Sequence, residues 1–109
     1  MTHSVIKTAV TTTALLLALS PAAVLSADGE KLYQSKTCST CHGKDGKTPL
    51  MDMYPKIAGQ NQKYTLQQLA DIKSGARSNG QSAAMKGVMH LVSEEEMQAL
   101  SEYIATMAP

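Results

Sequence analysis

The sequence predicts an all-α protein of three to five short helices joined by long loops. Three observations carry that reading. Three segments place apolar residues at helical spacing beside capping residues, while strand-like alternation is absent. Two intervening segments, "GKDGKTPLMDMYPKIAGQ" and "ARSNGQSAAMKGVMHLV", are too irregular to support themselves. Loops of that length in a small domain wrap something.

The chain has 109 residues, which bounds it at one domain. Its N-terminus reads as a signal peptide over residues 1–27. "MTHSVIK" carries His3 and Lys7, "TAVTTTALLLALS" is apolar and uncharged, Pro21 interrupts the run, and "AAVLSA" offers cleavage near Ser26 or Ala27. The stretch from Thr8 to Leu19 is shorter than the roughly 20 apolar residues of a membrane-spanning helix, so no stable insertion is expected after cleavage. The functional domain is then 28–109, in an oxidising compartment.

The first helical segment, "ADGEKLYQSKTC", sets Leu32 and Tyr33 among polar residues and leads into a pair of cysteines. In the second, "NQKYTLQQLADIKSG", Tyr64, Leu66, Leu69 and Ile72 form a broad apolar face between an asparagine and the C-cap glycine Gly75. The third, "SEEEMQALSEYIATM", opens with the capping box Ser93/Glu96 and three acids at the positive end of the helix dipole. Its buried stripe is Met97, Leu100, Ile104 and Met107.

Such a domain is small enough to need a staple. It has no Trp and no Phe, and its aromatic residues are Tyr33, Tyr54, Tyr64 and Tyr103, so another group is expected to fill the interior. Acids and bases balance after Asp28, which excludes a strongly basic nucleic-acid face. Bases prevail from Lys31 to Lys86 and acids from Glu94 to Glu102, giving the molecule a dipole.

Both cysteines of the chain fall in "KTCSTCHGKDG". Cys38-x-x-Cys41-His42 is the attachment pattern of c-type haem. The thiols lie about one helical turn apart, within reach of two vinyl groups on one porphyrin edge, and His42 follows as an iron ligand. Thioether formation also explains a close cysteine pair with no distant disulfide partner. A thiol-disulfide redox site uses the same Cys-x-x-Cys but sits in a strand-containing context. Zinc needs four ligands, and only His90 remains in the mature chain as a further nitrogen donor. A methionine in the sixth iron position would favour electron transfer. Met97 and Met107 belong to the last helix, Met51 and Met53 follow closely after His42, and Met85 and Met89 are better placed to reach the other haem face.

In order, "CSTCHGKDG", "YPKIAGQ", "YTLQQLADIKSG", "MKGVMHLVSEEE" and "LSEYI" resemble the small bacterial class I c-type cytochromes, particularly the domain repeated in the di-haem carrier cytochrome c4. The resemblance implies the class I cytochrome c fold around one covalent haem c. Its register, a small residue two positions on and the capping serine eight on, makes Met85, with Gly87 and Ser93, the axial ligand and Met89 the runner-up. It implies that the Pro55 carbonyl accepts the other ring N–H of His42, and that Gly29 meets Leu100 and Tyr103 where the terminal helices cross. A tryptophan near a haem propionate is missing and one residue is added between His42 and Pro55, which leaves Gln60, Tyr64 and Arg77 as candidate propionate contacts.

The implied function is that of a monomeric periplasmic electron carrier between redox proteins, a dehydrogenase or cytochrome complex donating and a terminal oxidase or reductase accepting, with no enzymatic turnover. Lys36, Lys44, Lys47 and Lys56 around the attachment loop would steer docking onto acidic partners. Two alternatives stand beside it: a permanent haem subunit of a dehydrogenase or oxidase complex, and a ligand-binding sensor or peroxidase using His90 as a distal group.

Overall fold

Five helices follow one another in the computed structural model: α1 (Gly29–Ser35), α2 (Cys38–His42), α3 (Gln62–Ser74), α4 (Ser82–Met89) and α5 (Glu94–Thr106). The structure describes residues 27–109 throughout and, before them, positions 2, 5, 6, 9–11, 13 and 14. The expected leader and its cleavage site near Ser26 fall largely outside the described residues. Among the described residues there is no strand, and no helix is long and apolar enough to cross a membrane.

Helices α1, α3 and α5 begin where a side chain supplies a partner for a free N–H group. The Asp28 side chain accepts from Lys31 N, and the Asn61 side chain accepts from Tyr64 N. At α5 the capping box is complete: Glu96 N donates to Ser93 Oγ at 3.2 Å and Ser93 N donates to Glu96 Oε1 at 3.0 Å. These bonds hold the Glu96 carboxyl below the usual range, with nearby Lys36 adding to the effect. Helix α3 stops at Gly75, whose φ of +89° closes the last turn onto Asp71 O and Ile72 O.

The α5 stripe is buried as its spacing requires, with Met97, Leu100, Ile104 and Met107 all in the core. It packs against Tyr33 from α1 and against Leu69 and Ile72 from α3, while α3 also carries α4. Each large apolar side chain so buried contributes about 1.5–3 kcal/mol.

The α1–α5 crossing is close. A Cβ on Gly29 would lie 2.4 Å from Ala99 O and 2.6 Å from Tyr103 Cβ. The backbone partner is thus Ala99 rather than Leu100, which turns one residue further round the helix and faces the interior cavity. Tyr103 then meets the Tyr33 ring at a centroid distance of 5.6 Å.

Two expectations are corrected. The segment before α5 is not wholly irregular: Ser82–Met89 is helical, because Ala83, Ala84, Met85 and Lys86 are strong helix formers that outweigh the single Gly87. Tyr64 is 53 % exposed and does not extend the buried face of α3; Thr65 takes that place one position on.

Replacing Gly29 by Ala drives the new Cβ into the α5 backbone at the crossing. Gly29→Ala is expected to destabilise the haem-loaded protein by about 1–3 kcal/mol, read as a lower denaturant midpoint.

Candidate haem site

Helix α2 is a single turn that presents Cys38, Cys41 and His42 together. It is entered through Thr37, whose φ of +65° is left-handed. For a β-branched residue that conformation costs about 1–2 kcal/mol, so the turn is held by its surroundings rather than by local preference. It is left through Gly43, with φ +86°, where a Cβ would collide with Thr48 O at 2.3 Å.

The following loop is tied back at several points. Tyr33 Oη donates to Gly43 O at 2.7 Å and Leu50 N donates to Cys41 O at 3.0 Å. Ile57 N and Ala58 N both donate to Gly46 O, at 2.8 and 3.1 Å. The Asp45 carboxylate accepts from Lys47 N, Thr48 N and Thr48 Oγ1, which holds its pKa below the usual value. This loop returns Pro55 to α2.

There His42 Nδ1 lies 2.8 Å from Pro55 O. A carbonyl has no proton to give, so the bond places the imidazole proton on Nδ1 and leaves the Nε2 lone pair for a metal. The ring is 7 % exposed. Cys38 and Cys41 are half-buried and unpaired. Burial pushes the Cys38 thiol up to about 11, the reverse of the low-pKa thiolate that thiol-disulfide exchange requires.

These groups line a cavity of about 560 Å³, within the range of small-molecule and cofactor sites. Leu69, Ile72, Leu100 and Ile104 give it an apolar interior, and Met85, Val88 and Met89 of α4 line it as well. Among the helices α2 packs on α1 while α4 packs on α3, so His42 and the sulfurs of Met85 and Met89 come from separate walls. Gln60, Tyr64 and Arg77 also border it, and Arg77 Nη1 donates to Gln68 Oε1 at 3.1 Å. The volume, two unpaired thiols, an imidazole with a bare Nε2 and thioether sulfurs fit a covalently attached haem.

The remaining sequence candidates separate by position. Met97 and Met107 stay in the α5 core, Met51 is exposed outside the cavity, and Met53 borders it with its side chain largely in solvent. His90 is exposed and does not line the cavity, which removes it as a distal group. Lys36 is not a free charge: its Nζ donates to Leu91 O at 2.8 Å and lies 3.4 Å from Glu96 Oε2. Lys44, Lys47 and Lys56 are exposed. Thr65 and Gln68 were not anticipated; the spacing 65, 69, 72 along α3 is the signal that would have placed Thr65 on the buried face.

Fold and site together define a small all-helical protein built to hold one covalent haem between a Cys-x-x-Cys-His turn and a methionine-bearing helix. The cytochrome c family model matches residues 26–108. Cytochrome c4 of Stutzerimonas stutzeri is 35 % identical over 88 residues, covering 73 % of this chain and 42 % of the relative. The thiosulfate dehydrogenase electron acceptor of Stutzerimonas stutzeri strain A1501 is 36 % identical, covering 86 % of this chain and 44 % of the relative. Cytochrome c-553 of Nitratidesulfovibrio vulgaris is 31 % identical, covering 84 % of this chain and 87 % of the relative. The chain belongs to the cytochrome c family, as a small class I c-type cytochrome with covalently attached haem c. It spans less than half the length of the first two relatives and most of the third.

The Tyr33 phenol that anchors Gly43 is pushed up to about 12, first by burial and then by Cys38, Tyr103 and Asp45. Its contribution to stability is present below the unfolded value near 10 and is lost as pH rises through 12. Burial, the first of these causes, persists when Cys38 is an uncharged haem thioether, so denaturant midpoints of the haem-loaded protein should fall between about pH 10 and 12 more steeply than those of Tyr33→Phe. At pH 7 that variant is expected to be about 1 kcal/mol less stable.

Proposed function

We propose that the chain is an exported, periplasmic electron carrier whose haem iron is held by His42 and Met85. Electron transfer is the function its family supports. The observation carrying the finer reading is the cavity that joins the Cys-x-x-Cys-His turn to the methionines of α4. Haem c, when bound, supplies reversible one-electron iron chemistry.

The chain's own residues do the rest. Cys38 and Cys41 tether the group, so it is never lost to the medium. Pro55 O fixes the His42 ring and raises the basicity of Nε2. Met85 is favoured over Met89 because Met89 is already 2 % exposed within the packed core, whereas Met85 is half-buried on the cavity wall. The register of Met85, Gly87 and Ser93 supports the same choice. Apolar lining excludes water from the iron, and Arg77, Gln60 and Tyr64 supply polar partners for the haem carboxylates. Outer-sphere exchange through an exposed haem edge needs no substrate pocket and no proton transfer, and the exposure of His90 argues against a sensor or peroxidase.

Residues 1–27 act as the leader and 28–109 as the working domain, a monomer that meets its partners transiently. The likeness to a thiosulfate dehydrogenase electron acceptor supports a dehydrogenase as one such donor. Lys44, Lys47 and Lys56 form the basic patch that steers encounter with acidic partner surfaces.

The near-red absorption of the oxidised protein tests the ligand set. The weak sulfur-to-iron band is expected in the parent protein, absent in Met85→Ala, and retained in Met89→Ala, which instead loses about 2–5 kcal/mol of stability. A swapped result would assign Met89, and a high-spin parent without the band would sink the carrier reading. Association with an acidic redox partner is expected to slow steeply between low and physiological salt; rates indifferent to ionic strength would remove the steering role of the lysines.

A further inference from the structure

The loop that carries Pro55 back to His42 is gripped at both ends by the last turn of α5. At one end stands Gly46, with φ +68°, where a Cβ would lie 3.0 Å from Met107 Cε, 3.1 Å from Met107 Sδ and 3.2 Å from Ala58 Cβ. The Met107 thioether thus rests on the Gly46 backbone. At the other end Gly59 N donates to Ile104 O at 2.9 Å, the carbonyl that also receives Met107 N at 3.2 Å. Gly59 has φ +73°, and a Cβ on it would lie 3.2 Å from Met107 O. One residue, 9 % exposed and not part of the cavity lining, therefore lies against both closing points of the loop.

Between those points the loop contains no helix that could hold its shape. Gly46 O accepts from Ile57 N at 2.8 Å and from Ala58 N at 3.1 Å, which fixes the chain just beyond Pro55. Pro55 O in turn lies 2.8 Å from His42 Nδ1. A shift of Gly46 is passed to that carbonyl along this short bonded path. We infer that Met107 is a positioning residue for the iron site: its side chain holds Gly46 in place and so sets the hydrogen bond between the His42 ring and Pro55 O. This rests on the proposal that His42 ligates the iron.

The effect has a definite sign. A strong bond from Nδ1–H to a carbonyl makes the imidazole a better donor through Nε2, which favours oxidised iron and keeps the potential down. Truncating Met107 lets Gly46 settle into the vacated space, the bond to Pro55 O lengthens, and the potential rises. The methionines of α4 are untouched by that change. A residue that only filled core volume would cost stability and leave ring and potential alone.

The test compares haem-loaded parent protein, Met107→Ala and Met107→Leu by midpoint potential, proton NMR of the His42 ring and the near-red band. Leu keeps most of the volume over Gly46, and Ala removes it. Met107→Ala is expected to raise the midpoint potential, to move the paramagnetically shifted His42 ring resonances and to speed exchange of the Nδ1 proton, with the band kept. Met107→Leu is expected to stay close to the parent in all of these. A Met107→Ala protein that loses stability while potential and ring resonances stay unchanged would overturn the inference. So would a fall in potential, which would mark water entering the cavity. A parent protein whose His42 ring shows no paramagnetic shift would strike the histidine ligation itself, and the inference with it. Gly46→Ala approaches the same contact from the other side: its Cβ presses on Met107, and the resulting shifts are expected to shrink when Met107→Ala is also present. Equal shifts with and without Met107 would overturn the inference as well. Should Met107→Ala fail to take up haem, Met107→Val provides the same comparison.

Discussion

The interior is organised around a volume that the chain's own side chains do not fill. They leave about 560 Å³ between α2, α3, α4 and α5. Its apolar walls, Leu69, Ile72, Leu100 and Ile104 among them, would face water without a group to cover them. The covalent haem is therefore a structural member as much as a functional one. A chain without Phe or Trp obtains from the porphyrin the large apolar surface that its own composition lacks.

Placing that group demands a rigid mount, and the mount is a chain of backbone constraints rather than a single contact. Thr37 and Gly43 bracket α2 with positive φ, Tyr33 reaches from α1 to hold Gly43 O, and the turn around Asp45 and Gly46 folds the loop back. The last link is Pro55 O on His42 Nδ1. The histidine is thus oriented by the loop that returns Pro55, and its tautomer follows from the fact that a carbonyl can only accept. On the other side α4 is anchored through α3 to α5, so the two walls share one support in the terminal helices.

Charge follows the same division of labour. Lys36, drawn into the α1–α5 junction by Leu91 O and Glu96, serves the fold. Lys44, Lys47 and Lys56 remain in solvent near the attachment loop, and in the carrier role proposed above their charge would act over distance on encounter rather than on stability. Arg77 is intermediate, half-buried and paired with Gln68 at the cavity border.

Several features were legible in the residues because they depend on neighbours in the chain. The Cys38-x-x-Cys41-His42 turn, the Asn61 and Ser93 caps, the Gly75 stop and the Met97–Met107 stripe all express interactions within about one or two helical turns. The helical character of 82–89 was masked by surrounding Gly, Asn and Ser, although Ala83 to Lys86 favour it. Other properties arose only when distant segments met. Ala99 rather than Leu100 took the Gly29 contact, Tyr64 stayed in solvent, Lys36 lost its freedom to Leu91 and Glu96, and Thr65 became a buried hydroxyl without a partner. A sequence specifies which side chains share a helix face through its 3.6-residue period. What that face meets, and whether a polar group on it is satisfied, depends on how helices far apart in the chain cross, and that was decided by the tertiary structure.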